Sequence, residues 1–590
     1  MTPRSIGRTL AISLSTLLLA AAAANAQWIS FSDETSSRLV LNAFADNPGG
    51  DPLADDQEKD VAGADLDQDG LTDLVVVRKR PFSNPGARQD ALLMNENGVL
   101  VDRTSTLAPG FINNPTDARD VHIVDVDGDG WLDVIIANTF GQQSSLYRNA
   151  GSSGGNWLGL VDESFRLPTI AIPGDVPVLN LCALWAGDVT GDGAPDLFLS
   201  NYRPSGGTLD QLLINDGNGF FSNETTARLG NLANVAFGTS VEIYDMDGDG
   251  DQDIVKISTL YSVSPFPIGQ FILWNDGNGF FTTFPFQTLA ASQPYMFSVG
   301  DMNGDGLLDM FLQGDVQDRV AIAQSTVPNG PVSYTTTVLS NSPRTTGFGG
   351  NTKLADVDGD GDLDAGVAPI DVDIANCGNS SDFALLQNPG NGVVFDPWAA
   401  NNDQNFHLDP HDFEFLDVNN DGCLDLFYGL CTGWRVFVQQ GCAAGAVATI
   451  EGLRIRAGVL VARGAASLDA SDDDYLGIQA VQAGAPFVTD FNIVASSPST
   501  TVSSLSVTLE SGATRNVAAG LLIFNYDTST WTSLGGFTEM TSDTVKSFPN
   551  LANPNAFVRD SDGEIRLRYQ SRTGSAYTVR LDLVRIDVTP

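Results

Sequence analysis

Basic residues are scarce in this chain: 30 lysines and arginines face 73 aspartates and glutamates over 590 residues, for a formal net charge of −43. A surface of that sign repels phosphate backbones and anionic lipid, which argues against nucleic acid as a partner and against polybasic docking on membranes. Histidine is scarcer still, with His122, His407 and His411 alone. The last two have the spacing of a zinc-binding helix, but Leu408-Asp409-Pro410 between them breaks any helix, and no H-E-x-x-H motif is present. A P-loop and a dinucleotide fingerprint are also missing. The five cysteines, Cys182, Cys377, Cys423, Cys431 and Cys442, lack metal-ligand spacing, leave room for one or two disulfides, and leave at least one thiol outside them. What the chain does have is apolar mass. At 42% hydrophobic it is too apolar for an acidic disordered protein, and its length suggests two to four domains.

Arg4 and Arg8 precede an apolar run from Leu10 to Ala24, and Ala24-Asn25-Ala26 places small residues where a signal peptidase reads. Residues 1–26 are therefore expected to be a signal peptide cut before Gln27, with the rest secreted, extracellular or periplasmic. The run is short for an anchor and no second apolar stretch of about 18 residues follows, so no membrane span is expected. Losing the two arginines takes the formal charge from −43 to −45.

The acid is concentrated in a repeat. D-x-[DNT]-x-D-G-x-x-D occurs seven times, starting at Asp65, Asp125, Asp188, Asp245, Asp301, Asp356 and Asp417, at intervals of 60, 63, 57, 56, 55 and 61 residues. In such a loop, oxygens at positions 1, 3 and 5 converge, glycine at 6 takes the sharp turn, a carbonyl follows at 7, and the acid at 9 closes the shell. Hard oxygen donors in that number select calcium over zinc or copper, with up to about seven ions for the chain. The expected ligands are Asp65, Asp67, Asp69 and Asp73; Asp125, Asp127, Asp129 and Asp133; Asp188, Thr190, Asp192 and Asp196; and Asp245, Asp247, Asp249 and Asp253. They continue with Asp301, Asn303, Asp305 and Asp309; Asp356, Asp358, Asp360 and Asp364; and Asp417, Asn419, Asp421 and Asp425. Thr190, Asn303 and Asn419 each replace a carboxylate by a neutral oxygen, so calcium is expected to be weaker in those three loops.

The flanks of the loops read as strands. A short apolar stretch precedes a loop, as in Val121–Val124 and Val241–Tyr244, and a buried run follows it, as in Leu74–Val77 and Val134–Ala137. A third run ends in a hairpin turn, as in Leu212–Gly219 and Ile272–Gly279, and a fourth comes next, as in Phe220–Leu229. Each repeat is thus expected to be a four-stranded antiparallel meander of about 59 residues, the plan of a propeller blade. FSDETSSRL at Phe31–Leu39 nearly repeats FSNETTARL at Phe221–Leu229, whereas the seventh repeat stops after its third strand at Gln439. The N-terminal segment is expected to complete the seventh blade, so that seven blades close into one ring without a free edge.

Residues 28–442 resemble FG-GAP or VCBS repeat proteins, whose blades carry D-x-D-x-D-G-x-x-D calcium loops, as in the integrin α-subunit propeller. Phe237-Gly238 and Phe348-Gly349, ahead of their loops, match the FG element, and the other repeats lack it at that place. The resemblance implies calcium-loaded loops on one face and ligand contacts on the opposite face.

From Ala443 the motif disappears, and alternating strands from Leu453 to Val588 predict a β-sandwich or jelly roll over residues 443–590, with a hairpin turning at Asp527-Thr528-Ser529. Ser471–Leu476 reads as a solvated turn or a further calcium site. The expected plan is all-β, with a signal peptide at 1–26, a seven-bladed propeller at 27–442 and a sandwich at 443–590.

Three repeats carry a base–acid pair six and five residues ahead of the loop: Lys59-Asp60, Arg119-Asp120 and His411-Asp412. These repeats adjoin in the expected ring, so the pairs would form a polar arc at its central mouth, either as a ligand site or as salt bridges between blades. Arg78-Lys79-Arg80, Phe140, Tyr202-Arg203, Tyr261, Phe266 and Trp398 are expected on loops around that mouth, where rings and guanidinium groups suit sugars or protein hot spots. The leading expectation is a module for adhesion or recognition of an extracellular glycan or protein. Its rivals are a polysaccharide lyase or hydrolase with His411 or Lys59 as proton acceptor and Arg119 on a substrate carboxylate, and a spacer in a surface layer.

Overall fold

The computed structural model describes residues 29–589 except 43, 45–51, 56, 81–84, 170–179, 203–207, 290–293, 315–317, 340–350, 360–361, 369–382, 389, 391–395, 398–409, 431–432, 441–445, 448, 458, 463–475, 483–486, 498–501, 503, 542–543, 549–550 and 560–562. The signal segment, Asp360, Cys377, Cys431, Cys442, His407, Arg203, Phe348-Gly349, Trp398 and residues 471–475 fall outside the described residues. Cys423 is disulfide-bonded and Cys182 is a free thiol. No helix among the described residues is long and apolar enough to cross a membrane.

The fold is all-β. Each of the seven repeats builds one sheet of antiparallel strands, the first two of which flank an aspartate loop, and the first sheet gains a fifth, parallel edge strand. In the third repeat these are Leu181–Gly187, Asp196–Asn201, Gln211–Asn215 and Phe221–Asn223, in that order across the sheet. The second strands read as unbroken apolar runs because both their faces are covered: Leu74, Val75, Val76 and Val77 are all fully buried. Each such side chain contributes roughly 1.5–3 kcal/mol by leaving water.

Cores form between sheets rather than within them. One joins the first and second sheets through Val75, Leu92, Val134 and Tyr147; others join each sheet to the next in the chain. A further core joins the seventh sheet to the first, packing Phe427, Trp434 and Val436 against Leu74, Val76 and Leu93.

The N-terminal strand Ser30–Asp33 pairs antiparallel with Gly433–Gln440, adding the fourth strand to the seventh sheet, as its sequence predicts. The rest of that motif is a correction: Thr35–Arg38 and its counterpart Thr225–Arg228 are single helical turns, not strand. The Asp33 carboxylate accepts the Thr35 N–H at 3.0 Å, and Glu34 pairs with Arg38 one turn later at 2.6 Å, which together stabilise a turn over a strand. The chain then crosses to the first sheet, where Leu39–Val40 lies parallel to Leu100–Val101.

Two six-stranded sheets make up the C-terminal segment and share one core, including Phe491, Leu521, Tyr569 and Ile586. Val517–Asn525 and Thr530–Glu539 form the expected hairpin, turning over Tyr526–Ser529 with Ser529 in the left-handed region at φ 53°.

Candidate functional site

Every aspartate loop is shaped by its own carboxylates. In six of the seven loops, the sixth loop's glycine lying outside the described residues, the first Asp accepts the N–H of the glycine five residues on, at 2.9 Å for Asp65 and Gly70, 2.8 Å for Asp125 and Gly130, and 2.6 Å for Asp417 and Gly422. That glycine sits at positive φ, 96° at Gly250, a conformation that costs little only without a Cβ.

The ninth residue, the first of the second strand, is a buried clamp. Asp73 accepts the Leu66 N–H at 3.1 Å on one oxygen and the Asn95 N–H at 2.8 Å on the other, tying loop, second strand and third strand together. Asp133, Asp196, Asp253, Asp309, Asp364 and Asp425 repeat the arrangement.

A second device was missed because its residue reads as ordinary turn chemistry. The Asn that ends the third strand sends its amide to the preceding sheet's loop: Asn149 to the Leu66 carbonyl, Asn215 to Val126, Asn275 to Val189 and Asn388 to Met302. Asn95 reaches Val418 of the seventh sheet at 3.0 Å, so first and last repeats are latched in the same way. The available signal was the recurrence of Asn at that position in five of seven repeats.

Among the described residues, four loops gather three carboxylates whose oxygens lie within 4.8 Å of one another: Asp65, Asp67 and Asp73; Asp125, Asp127 and Asp133; Asp245, Asp247 and Asp249; and Asp356, Asp358 and Asp364. These are the four loops without a neutral substitution. Asp127 Oδ1 and Asp247 Oδ1 are buried with no hydrogen-bond partner. Burial and neighbouring carboxylates raise Asp67, while burial pushes Asp73 and Asp253 up to about 8 and Asp133 to about 7. An all-oxygen donor set with unpartnered oxygens fits a hard divalent cation, which would hold these groups ionised.

Among the first strands lies a cavity of about 590 Å³. One side is charged. Lys79 Nζ meets Asp60 at 2.8 Å and the Arg119 carbonyl at 3.1 Å, and Lys353 Nζ meets Glu414 at 2.6 Å and the Val61 carbonyl at 3.0 Å. The other side is aromatic: His122, Trp185 and Tyr244 follow one another with ring centroids 4.9 and 5.8 Å apart, and Tyr202 meets Phe237 edge-on at 4.4 Å.

Carboxylates pin neighbouring first strands around this space. Asp412 accepts the Val61 N–H at 2.8 Å, Asp120 the Leu184 N–H at 2.7 Å, and Glu242 the Val299 N–H at 3.1 Å. Asp60 and Asp412 share a hydrogen bond and titrate apart. Burial would raise Asp60, but Lys79, the hydrogen bond with Asp412 and the Lys353 charge together outweigh it and hold Asp60 low; burial and the Asp60 charge hold Asp412 well above the carboxylate range. Burial also takes Asp120 up to about 7 and His122 down to about 4.

Of the expected polar arc, Asp60, Arg119, Asp120 and Asp412 line the cavity, whereas Lys59 and His411 do not. Lys59 is fully buried, its ammonium on the carbonyls of Asp55 and Leu430 at 2.7 Å each and 5.6 Å from the Trp434 ring. Strand alternation explains this, since Lys59 and Asp60 face opposite ways. His411 sits at a bulge in its strand, is 1% exposed, and burial holds its imidazole well below the usual range. Two loop expectations also change. Phe266 is buried against Phe271, and Arg78 is buried in a two-armed pair with Asp55. Tyr261 is exposed beside Phe237, Phe140 lies 5.9 Å from the Arg119 guanidinium, and Lys79 and Tyr202 line the cavity.

No curated protein matches the chain in sequence. Among solved structures, a lectin of Agrocybe aegerita, described for recognition of non-reducing terminal N-acetylglucosamine, is 18% identical over 61% of this chain and 83% of its own, with a TM-score of 0.38. The biofilm matrix protein Bap1 of V. cholerae is 10% identical over 94% and 72%, with a TM-score of 0.27. An exo-β-1,3-galactanase of Phanerochaete chrysosporium is 11% identical over 82% and 97%, with a TM-score of 0.30. Residues 65–136 and 188–255 match the family model of the FG-GAP-like repeat, each match running from an aspartate loop through the following sheet to a further loop or strand. Two segments of the chain are thus FG-GAP-like repeats.

Proposed function

We propose that the chain is an exported, calcium-stabilised seven-bladed β-propeller over residues 27–442 with a β-sandwich over 443–590, and that it recognises an extracellular glycan or protein at the cavity among the first strands. The division of that cavity carries the reading. Aromatic rings on one side offer apolar faces, and hydrogen-bonded charges on the other offer fixed donors and acceptors, the combination that binds amphipathic ligands such as sugars. The cores between successive sheets, and the one between last and first, support the ring. The convergent aspartates support structural calcium at its loops.

Glycan and protein arrays probed with the purified, calcium-loaded chain test the reading. Tyr295 also lines the cavity, and Trp185→Ala and Tyr295→Ala should each weaken the ligand so found about tenfold, or about 1.4 kcal/mol, measured where both variants remain folded. A ligand held equally by both variants would move recognition elsewhere. The rival, a polysaccharide lyase or hydrolase, is favoured by one observation: Asp60 and Asp412 are paired carboxyls with opposed protonation at the cavity wall. Release of reducing ends from a polysaccharide panel, abolished by Asp60→Asn with calcium content unchanged, would establish it.

A further inference from the structure

The outer face of one C-terminal sheet runs against the charge of the chain. Along Glu564–Thr573, Ile565, Leu567 and Tyr569 point into the core, so Arg566, Arg568, Gln570 and Arg572 point outward. Across the sheet, Asn492 lies opposite Arg568 on one side and Leu522 on the other. Arg568 grips Asp490 with two hydrogen bonds of 2.8 and 2.5 Å, Arg456 lies 3.8 Å from the same carboxylate, and Arg566 meets Glu564 at 2.6 Å. Arg456 and Arg568 thus share Asp490, Arg559 and Arg566 share Glu564, and Arg572 is exposed farther along the strand, a cationic excess on a protein of charge −43.

Aromatic rings border these charges. Phe524 and Trp531 are cross-strand partners, edge to face at 5.2 Å, with Arg568 5.7 Å from the indole. One step along, Gly520 and Gly536 lie opposite each other next to Gln570. A Cβ at either glycine would meet only a backbone carbonyl, at 3.4 and 3.7 Å, so a slot without side chains opens beside the rings. Asn492 Oδ1 has no hydrogen-bond partner.

We infer that this face binds an acidic polysaccharide, a uronate-bearing chain lying in the glycine slot with a sugar ring against Trp531 and its carboxylates on the arginines. Charge complementarity selects an acidic occupant. The planar guanidinium groups match carboxylates, the Phe524 and Trp531 rings offer faces to sugars, and the glycine slot admits an extended chain. The site is separate from the cavity and stands without it.

The test uses the calcium-loaded full chain with sodium hyaluronate, alginate oligomers and oligogalacturonate, and with carboxyl-reduced hyaluronate as neutral control, by calorimetry. At least one acidic polymer should bind, weaken with added salt, and lose tenfold or more in affinity in Trp531→Ala and in the double variant Arg566→Gln, Arg572→Gln, with unchanged melting temperatures. Trp185→Ala in the cavity should leave this binding intact. The proposal is overturned by binding to none of the acidic polymers, by equal binding to the carboxyl-reduced polymer, by unaltered affinity in the face variants, or by self-association of the chain that those variants abolish.

Discussion

Asp253 and Asp247 stand in the same loop, yet they are held differently. Asp253 accepts backbone N–H groups from Met246 and Asn275 on its two oxygens, whereas Asp247 accepts the Gly330 N–H at 3.0 Å on one oxygen and has no partner on the other, which is buried. Asp247→Asn should therefore remove a calcium equivalent, read by elemental analysis, and leave the chelated protein as stable as before. Asp253→Ala should remove the same equivalent and also destabilise the chelated protein, by about 1–3 kcal/mol for each stranded N–H. Asp120 sets a pH dependence. Burial, reinforced by the Asp60 charge and only partly offset by the Leu184 N–H and Lys79, takes its carboxyl from 3.8 to about 7. A raised folded value means that its stabilising contribution is present below the ordinary carboxylate range and is lost as pH rises through about 7. That part of the stability should be lost between about pH 4 and pH 7, and Asp120→Asn should flatten the melting temperature's dependence over that range; an identical dependence in both proteins would exclude Asp120 as its source. Aspartate spacing made the loops legible at this scale, since a local turn depends on residues within nine positions. Lys59 and His411 were legible as charges but not in their facing, because strand alternation and the bulge at His411 decide that.

Strands were readable wherever apolar runs met loops, and the N-terminal segment was assigned to the seventh sheet from its likeness to Phe221–Leu229. Its helical turn was not, because the Glu34–Arg38 pair that favours the turn competes with a strand pairing set elsewhere in the chain. The Asn latches were hidden for a related reason: Asn149 and Leu66 are 83 residues apart. Trp434 is the element-scale test of the contact between first and seventh sheets. It is fully buried, stacked on Phe44 at 5.9 Å and edge-on to Phe427 at 5.8 Å. Trp434→Ala should cost about 3–5 kcal/mol by urea unfolding, and a loss under 1 kcal/mol would mean that the two sheets contribute little to each other.

At the scale of the molecule, charge and metal are one subject. Removing calcium from the proposed loops leaves carboxylates facing one another, so a chelator should lower the melting temperature well beyond what salt of equal ionic strength does. An unchanged melt, with no calcium found by elemental analysis, would refute the assignment. The pairing of Ser30–Asp33 with Gly433–Gln440 has a further consequence, in time rather than in energy. Its partners lie up to 410 residues apart, so the segment made first must wait, unpaired, for the segment made almost last in the repeat array. Closing so long a loop is slow, and until it closes the seventh sheet exposes an edge able to pair with other chains. Refolding yield should therefore fall with protein concentration, and a peptide copying residues 27–40 should trap the open state when added early but not after folding is complete.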